Sequence, residues 1–401
     1  MQDQRSTESN PFHFTPALVL TVFMLLICGF IVLASAGMGS TEGEGGPLGF
    51  IEKQAMFCGL GVVLSVMAYY FPHRWMQSYT FFFILYGFVV GALLSVYFIG
   101  SNINEVKNVY RWISIPGLGI SFQPSEITKL GIVLMVAIWA CLNPQKIQKL
   151  ACLGGVVPLG LMISVILALI FIEPDYATTM VCGSVAMATF YVAGVSARWV
   201  TIAMVLLVLL VGYTVNYLEL ERSGRIYAWQ NLYTEMPDEN RQQLASIKAI
   251  VTGQLLGKGI GMGTAKLGGL SEHDSDFIFA VVAEELGFIG VFCVLLGFVF
   301  ILYAGTSISI KSKDIFGRVL AMGIVTAISI QVLLNVATTS ALVPNTGLTF
   351  PFFSKGGSNL IMMLISMGFL MGVERETRRS SAQALLQDRN KKSAISNPFE
   401  Q

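Results

Sequence analysis

Ten apolar stretches dominate this chain and limit what it can fold into. Each is long enough, or nearly so, to cross the roughly 30 Å hydrocarbon core of a bilayer as a helix. They cover residues 16–37, 52–71, 79–100, 125–142, 151–172, 177–195, 199–218, 277–305, 317–342 and 358–373. Only 12% of the residues are charged, whereas a soluble domain has about 25%. The sequence therefore predicts an all-α, polytopic membrane protein with ten transmembrane helices.

The short connections between these stretches predict the orientation of the chain. An even number of spans places both termini on one side. With the N-terminus inside, the basic residues of the internal connections, together with one histidine, are His73, Arg74, Lys146, Lys149, Arg198, Lys311, Lys313 and Arg318. The first external loop holds Glu42 and Glu44 and no basic residue before Lys53. Because basic residues of short loops stay on the cytoplasmic side, we predict that the ends, 1–15 and 376–401, are cytoplasmic and flank a transmembrane domain at 16–375.

Three longer connections are then predicted on the external side, at residues 101–124, 219–276 and 343–357. The second is the only large polar segment of the chain. The third reads VPNTGLTFPFFSKGG, with two prolines and three glycines among apolar residues. Irregular backbone at membrane depth is stable only where protein or water satisfies it. We therefore predict a re-entrant segment, lining a cavity, before the last helix.

An acidic cluster ends the large external loop. Glu272, His273, Asp274 and Asp276 lie within five positions, and the apolar run that follows is interrupted by Glu284 and Glu285. A carboxylate in hydrocarbon costs about 2.5–3.5 kcal/mol on insertion scales, so it normally faces a cavity or a partner. Asp276 lies where the loop becomes a helix, and the helix dipole favours its ionised form there. A simple helix cap is the alternative interpretation of Asp276.

Other charged residues of the spans and external loops allow two interpretations each. Glu126 and Lys129 are three positions apart and share one helix face. They form either a structural ion pair or a contact with substrate. Arg111 and Trp112 form either an anion or headgroup site or an ordinary interfacial pair. Glu173 and Asp175, in Glu-Pro-Asp, form either an external carboxylate pair or a turn in which Asp175 caps the next helix.

The large loop is basic and rich in glycine. Its lysines and arginines are Arg222, Arg225, Arg241, Lys248, Lys258 and Lys266. The segment GQLLGKGIG lacks the spacing of a nucleotide-binding P-loop, but a flexible basic loop can hold a pyrophosphate. The six cysteines lie in apolar segments without a CxxC pair, which indicates neither disulfides nor a metal site. The net charge of +1 gives no indication of nucleic-acid binding.

Several blocks together resemble one family. They are NEVKNVYRWI, FQPSEITK, EPDYATT, GMGTAKLGGLSEHDSDFIFAVVAEELGFIG and QVLLNVATTSALVPNTGLTFPFFSKGGS. They are similar to the SEDS proteins, the FtsW/RodA/SpoVE group of bacterial cell-wall polymerases, over about residues 16–375. Within this family, GLTFP and the basic tail favour the FtsW subgroup. The chain departs from the family with Asp274-Ser275-Asp276 in place of His-Thr-Asp, and with Lys355 and Asn359 in its SKGGSN block.

The resemblance implies a peptidoglycan glycosyltransferase that polymerises lipid II on the outer face of the bacterial cytoplasmic membrane. A sugar hydroxyl would displace undecaprenyl pyrophosphate, with Asp276 as the general base. Implied or candidate substrate-binding residues are Arg111, Trp112, Glu126, Lys129, Asp175, Arg225, Lys266, Glu284, Ser354 and Lys355. The sequence requires no cofactor, although Mg²⁺ or Mn²⁺ on Asp276 and Asp274 would suit a pyrophosphate leaving group.

The implied partners are a class B penicillin-binding protein, which is a transpeptidase, and other membrane proteins of the divisome or elongasome. Two other functions stay open from the sequence. One is a transporter that flips lipid II, for which the intramembrane Glu284 and Glu285 are equally suited. The other is an inactive scaffold of the cell-wall synthesis complex.

Overall fold

The computed structural model describes residues 13–38, 46–100, 111–115, 120–149, 154–217, 227, 229–232, 238–267, 270 and 274–396. The helices are α1 (Phe14–Gly37), α2 (Gly46–Tyr70), α3 (His73–Met76), α4 (Tyr79–Ile99), α5 (Pro124–Leu142), α6 (Val156–Ile172), α7 (Tyr176–Val192), α8 (Ala197–Tyr217), α9 (Asp238–Gly253), α10 (Ile278–Lys311), α11 (Ile315–Thr339) and α12 (Gly357–Ser396). A hairpin pairs β1 (Ile113–Ile115) with β2 (Ile120–Phe122) in antiparallel fashion, with Ile113 opposite Phe122.

Every predicted span corresponds to a helix, and the predicted all-α membrane fold is confirmed. Eight helices within the described residues are long and apolar enough to cross a membrane. The other two, α6 and α7, have 17 residues each. At 1.5 Å per residue they measure about 25 Å, slightly less than the hydrocarbon core. The chain is therefore a multi-pass membrane protein, and the count of ten spans stays a prediction.

Helix α5 lies at the centre of the bundle. It packs against α4, α7 and α11, and 83% of its spanning window is buried, against 11% for the peripheral α8. Its polar residues Glu126 and Lys129 are consequently 7% and 5% exposed. Because isolated charges are costly in such surroundings, these two side chains need partners inside the protein.

The connections fall into two groups at opposite ends of the bundle. At one end the amide of Phe14 donates to Glu374 (2.9 Å), and Gln77 donates to Asp314 (3.0 Å). The elements joined here are those predicted to be cytoplasmic. At the other end β2 contacts α12, and the amide of Gln123, directly after β2, donates to Oγ of Ser358 near the start of α12 (3.1 Å). The grouping agrees with the charge pattern, whereas the end that faces the cytoplasm stays a prediction.

The described part of the large polar loop contains a docked helix, which the sequence did not predict. Two side chains of α9 bond to carbonyls around the end of α11: Gln243 donates to Val343 (3.0 Å), and Ser246 to Thr339 (2.7 Å). These bonds satisfy carbonyls that a helix end otherwise leaves without partners. Helix α9 therefore lies at the same end of the bundle as the C-terminal end of α11.

The segment 343–356 has irregular backbone and a buried interior, as its prolines and glycines predicted. Within it Phe350 and Phe353 are fully buried and Ser354 is 5% exposed. The ring of Phe350 lies 5.3 Å from that of Phe298 on α10. These aromatic contacts hold the segment against the bundle without regular secondary structure.

The span predicted at 277–305 is broken rather than continuous. Helix α10 has non-helical backbone at Gly287, with φ of 66° and ψ of −169°. Positive φ favours glycine because a side chain is strained there. The break divides α10 into a short first segment, 278–286, and a long second one.

Candidate active site

Asp276 lies in the turn at 274–277, directly before α10, and is half-buried. Its backbone carbonyl accepts a hydrogen bond from Nδ2 of Asn335 at 2.8 Å. The same nitrogen donates to the carbonyl of Leu348 at 2.6 Å. Asn335 of α11 thereby joins the Asp276 turn to the irregular segment. The sequence analysis missed Asn335, although an amide within an apolar span was a usable signal.

Ser354 and Lys355 fix the irregular segment to the same turn. Oγ of Ser354 donates to the carbonyl of Ser275 (2.6 Å) and accepts from the amide of Phe350 (2.7 Å). The amide of Lys355 donates to the carbonyl of Asp274 (2.7 Å). Nζ of Lys355 lies 3.2 Å from Oδ2 of Asp274. The structure therefore places both predicted residues beside Asp276, in contact with its neighbours.

Gly347 completes the wall next to the Asp276 carboxylate. Its φ is +68°, and a Cβ built on it would lie 3.5 Å from Oδ2 of Asp276. Since positive φ favours glycine, this backbone can approach the carboxylate without strain. Asp276 is thus enclosed by α11 on one side and by the irregular segment on the other.

Glu126 and Lys129 form the predicted ion pair inside the bundle. Nζ of Lys129 lies 2.8 Å from Oε1 and 2.7 Å from Oε2 of Glu126. The lysine also donates to Oε1 of Gln331 at 2.9 Å. Both charged side chains line a pocket between α5, α11 and α12, whose other walls include Val133 and Ile328. The ion pair is confirmed, and a substrate contact there stays a prediction.

Gln331 connects this ion pair to the Asp276 region. Its Nε2 donates to the carbonyl of Thr349 at 3.0 Å. Asn359 of α12 bonds to the Thr349 hydroxyl. Thr349 adjoins Leu348, whose carbonyl accepts from Asn335. One face of α11 therefore carries a polar network from the centre of the bundle to the Asp276 turn.

Arg111 holds the turn between α6 and α7 through backbone carbonyls. Its Nε donates to the carbonyl of Glu173 (3.2 Å), and its Nη2 bonds to that of Pro174. Oδ1 of Asp175 accepts from the amide of Thr178 (3.2 Å) and so caps α7, as the simpler interpretation predicted. The backbone carbonyls leave the guanidinium charge uncompensated by these contacts. Trp112 is half-buried beside Arg111, where the hairpin begins.

Asp175 and Glu173 are two carboxyl groups near this arginine. Oδ2 of Asp175 accepts from Nε2 of Gln123 at 3.3 Å. Burial, and secondly the neighbouring Asp175, raise the pKa of Glu173 to about 8, while Arg111 acts in the opposite direction. Among the described residues, Oε1 of Glu173 is buried and has no hydrogen-bond partner, which agrees with a neutral carboxyl group. Sequence reasoning gave Glu173 no separate role.

Lys266 and Glu284 are buried and make contacts inside the protein. Nζ of Lys266 donates to Glu285 (2.7 Å), Ser35 (2.6 Å) and the carbonyl of Gly261 (3.0 Å). An ammonium group has three hydrogens, and each has an acceptor here. Glu284 pairs with Lys258 at 2.5 Å. The two intramembrane glutamates are therefore each paired with a lysine of the preceding loop.

The Mg²⁺ or Mn²⁺ considered for Asp276 and Asp274 stays a prediction. Among the described residues, no group of three or more His, Cys, Asp or Glu side chains could hold a metal ion. Within this part of the chain Asp274 pairs with Lys355. Arg225, Glu272 and His273 lie outside the described residues.

Comparison with known proteins identifies the family. The family model described as "Cell cycle protein", for FtsW, RodA and SpoVE, matches residues 16–379. The chain belongs to the FtsW/RodA/SpoVE family. This membership confirms the resemblance carried by the sequence blocks.

Curated members of the FtsW/RodA/SpoVE family match along nearly their whole length. The "Probable peptidoglycan glycosyltransferase FtsW" of Geobacter metallireducens is 30% identical over 359 residues, covering 89% of this chain and 93% of that one. The protein of the same name in Bacillus subtilis is 32% identical, covering 87% and 88%. "Stage V sporulation protein E" of Bacillus subtilis is 31% identical, covering 90% and 97%.

Solved structures of the FtsW/RodA/SpoVE type share the fold. A chain from a structure described as "Structural coordination of polymerization and crosslinking by a peptidoglycan synthase complex" superposes with a TM-score of 0.73 at 24% identity, covering 90% of this chain and 97% of that one. RodA of Thermus thermophilus superposes with a TM-score of 0.62 at 23% identity, covering 90% and 96%. At these identities the likeness concerns the fold.

Proposed function

We propose that this protein is a peptidoglycan glycosyltransferase that polymerises lipid II. The observation that carries the proposal is the enclosure of the Asp276 turn. Asn335 and Ser354 each donate to a backbone carbonyl of that turn, at 2.8 and 2.6 Å. The side-chain carboxylate of Asp276 lies beside Gly347. A half-buried carboxylate on a fixed backbone suits general-base catalysis, which depends on geometry first. The names of the curated relatives support the same reaction.

In the proposed reaction a hydroxyl of one sugar attacks the anomeric carbon of another that is linked to undecaprenyl pyrophosphate. Asp276 accepts the hydroxyl proton as the new carbon–oxygen bond forms. The bond from the anomeric carbon to the phosphate oxygen breaks, and its electron pair leaves with the pyrophosphate. Asp276 then loses the proton to water. This sequence needs a positive charge near the leaving group.

Lys355 and Arg111 are the better candidates for that charge. Lys355 is 36% exposed at its side chain and lies beside the Asp276 turn. Arg111 is held by carbonyl oxygens, which do not neutralise it. Lys129 and Lys266 are paired with buried carboxylates at 2.7 Å, whereas the pair of Lys355 with Asp274 is longer, at 3.2 Å, and partly exposed.

The setting of the reaction is also part of the proposal. The chain would lie in the bacterial cytoplasmic membrane with both termini cytoplasmic and Asp276 facing outward. A class B penicillin-binding protein would crosslink the strands it makes, together with other divisome or elongasome proteins. The curated relatives named FtsW favour the division group. The transporter alternative depended on two acidic residues within a span. Its support is weaker because Glu284 and Glu285 are paired with Lys258 and Lys266.

Substitution of Asp276 by asparagine tests the proposal. Asp276→Asn keeps the side-chain volume but removes the base, and loss of a general base lowers rates by about 10²–10⁴-fold. The assay is lipid II polymerisation in detergent with the purified protein and its partner transpeptidase. Asp274→Asn is the matched control, which should retain substantial activity.

Two results would contradict the proposal. Loss of activity in Asp274→Asn but not in Asp276→Asn would move the base by two residues. No polymer from the wild-type protein with its partner, together with vectorial movement of lipid II in liposomes, would establish the transporter instead. Since detergent removes sidedness, transport does not contribute to the polymerisation signal.

A further inference from the structure

The break in α10 is bridged by the glycine-rich loop. A helix interrupted at Gly287 loses bonds between the amides of residues 288 and 289 and the carbonyls of residues 284 and 285. The amides of Phe288 and Ile289 donate to the carbonyls of Gln254 (2.9 Å) and Leu255 (3.2 Å). The carbonyls of Glu284 and Glu285 accept from the amides of Lys258 (2.9 Å) and Gly259 (3.0 Å). The loop thus satisfies all four groups.

Glycine is required where the loop meets the helix. A Cβ on Gly257 would lie 2.1 Å from the carbonyl oxygen of Glu285, and its φ is +79°. A Cβ on Gly253 would lie 2.0 Å from the carbonyl oxygen of Ala283. The glycines of the loop therefore allow close backbone approach to the first segment of α10.

The carboxylate of Glu285 binds the glycine-rich loop and α1 in the interior of the protein. Its Oε1 lies 2.7 Å from Nζ of Lys266 and 2.6 Å from Oγ of Ser35 on α1. Its Oε2 accepts from the amide of Gly261 at 3.2 Å. The side chains of Lys266 and Glu285 are only 2% and 0% exposed. A buried pair with this many partners holds a fixed geometry.

The Lys266–Glu285 contact closes a short loop that contains Asp276. Of this stretch the structure describes residues 267, 270 and 274–277. Lys266 directly precedes it, and the first segment of α10, which carries Glu285, directly follows it. Within the loop Leu270 and Phe277 are buried in a cluster with Ala249 of α9 and Ala280. The position of Asp276 therefore depends on both attachments.

We infer that Lys266 and Glu285 are a positioning pair for Asp276, which act through the start of α10 and the buried cluster of Leu270 and Phe277 without touching substrate. This inference rests on the proposed function for its catalytic consequence, but its structural part stands separately. A neighbouring pair, Lys258 and Glu284, offers a comparison. Lys258 is 30% exposed at its side chain, and Glu284 keeps bonds from the amides of Thr264 and Ala265, each at 3.0 Å.

The test compares the double variant Lys266→Met/Glu285→Gln with Lys258→Met. The double variant removes both buried charges and leaves neither alone. Hydrogen exchange of peptides covering 267–277 should become at least about 10-fold faster, because one attachment of the loop is lost. Peptides of α5 and α12 should exchange as in the wild type. Lys258→Met should leave the exchange of all these peptides unchanged.

The kinetic consequence is measured on the same proteins with lipid II. At equal folded fraction, kcat of the double variant should fall about 10- to 100-fold, since a displaced catalytic group costs that much. KM should stay within about twofold. The acid limb of the pH profile of kcat should also shift, because the surroundings of the base change. A smaller fraction of active protein would lower kcat equally at every pH and would not shift the profile. Lys258→Met should keep wild-type values.

The inference is overturned if 267–277 exchanges at the wild-type rate in the double variant, or if kcat is unchanged at equal folded fraction. A general loss of protection along all helices would indicate a purely structural role and would also overturn it. If the double variant does not fold, Glu285→Gln alone carries the test, because it keeps an oxygen for Lys266. If the wild type makes no glycan, the proposed function fails, and hydrogen exchange alone decides the positioning role.

Discussion

Nδ2 of Asn335 donates to the backbone carbonyl of Asp276 at 2.8 Å, and this bond attaches α11 to the turn that carries the proposed base. One helical turn earlier, Gln331 bonds to Lys129 and to Thr349. Residues four apart lie on one face of a helix. This face of α11 therefore couples the central ion pair to the Asp276 turn.

Replacement of Asn335 should damage both stability and activity. Asn335→Ala leaves the carbonyls of Asp276 and Leu348 without this donor, and each unsatisfied buried group costs about 1–3 kcal/mol. We expect a lower unfolding temperature in detergent and at least about 10-fold less lipid II polymerisation, because the turn is no longer held. Ser340→Ala is the control, since within the described part of the chain the Ser340 hydroxyl bonds to carbonyls of its own helix. Wild-type activity in Asn335→Ala would remove Asn335 from the site.

The sequence predicted the parts of this site that depend on local spacing. Glu126 and Lys129 form an ion pair because residues three apart share a helix face, whatever surrounds them. The contact of Lys266 with Glu285 was not predicted, since the two residues are 19 positions apart across a loop. Sequence spacing does not predict a contact between residues that a loop brings together. The break at Gly287 was hidden for the same reason, because the loop that satisfies it is distant in sequence.

Glu126 and Lys129 should behave as one unit in a double-mutant cycle. Removal of one partner leaves a buried charge unpaired and costs about 3–5 kcal/mol. Glu126→Ala and Lys129→Ala should therefore each lower the unfolding temperature and the activity strongly, whereas the double variant should be no worse than either. Thermal unfolding in detergent and lipid II polymerisation measure both effects. Additive losses would mean that the two side chains have independent roles.

Glu173 should make the protein less stable as the pH rises. Its pKa is raised from 4.5 to about 8 by burial and by Asp175. Between these values the folded state keeps the proton and the unfolded state has lost it. The unfolded state then binds fewer protons, so the free energy of unfolding falls with pH through this window. Above about pH 8 the loss is complete.

Glu173→Gln tests this expectation because an amide does not titrate. The variant should unfold at a higher temperature than the wild type at pH 8.5, with the difference shrinking towards pH 4.5. Glu52→Gln, at an exposed position, is the control and should show no such trend. A constant difference between Glu173→Gln and the wild type across this range would show that Glu173 does not titrate as expected.

The predicted orientation can be measured with single cysteines at the two ends of the bundle. Asn240 lies on α9, which bonds through Gln243 to Val343 near the end of α11 and so reports the Asp276 end. Ser380 follows Glu374, which accepts from the amide of Phe14 and so reports the opposite end. In a background without the native cysteines, an impermeant thiol reagent should label Asn240→Cys on intact cells. Ser380→Cys should react only after permeabilisation, because basic residues of short connections stay cytoplasmic. The reverse pattern would place Asp276 inside, where the proposed polymerisation on the outer face is impossible.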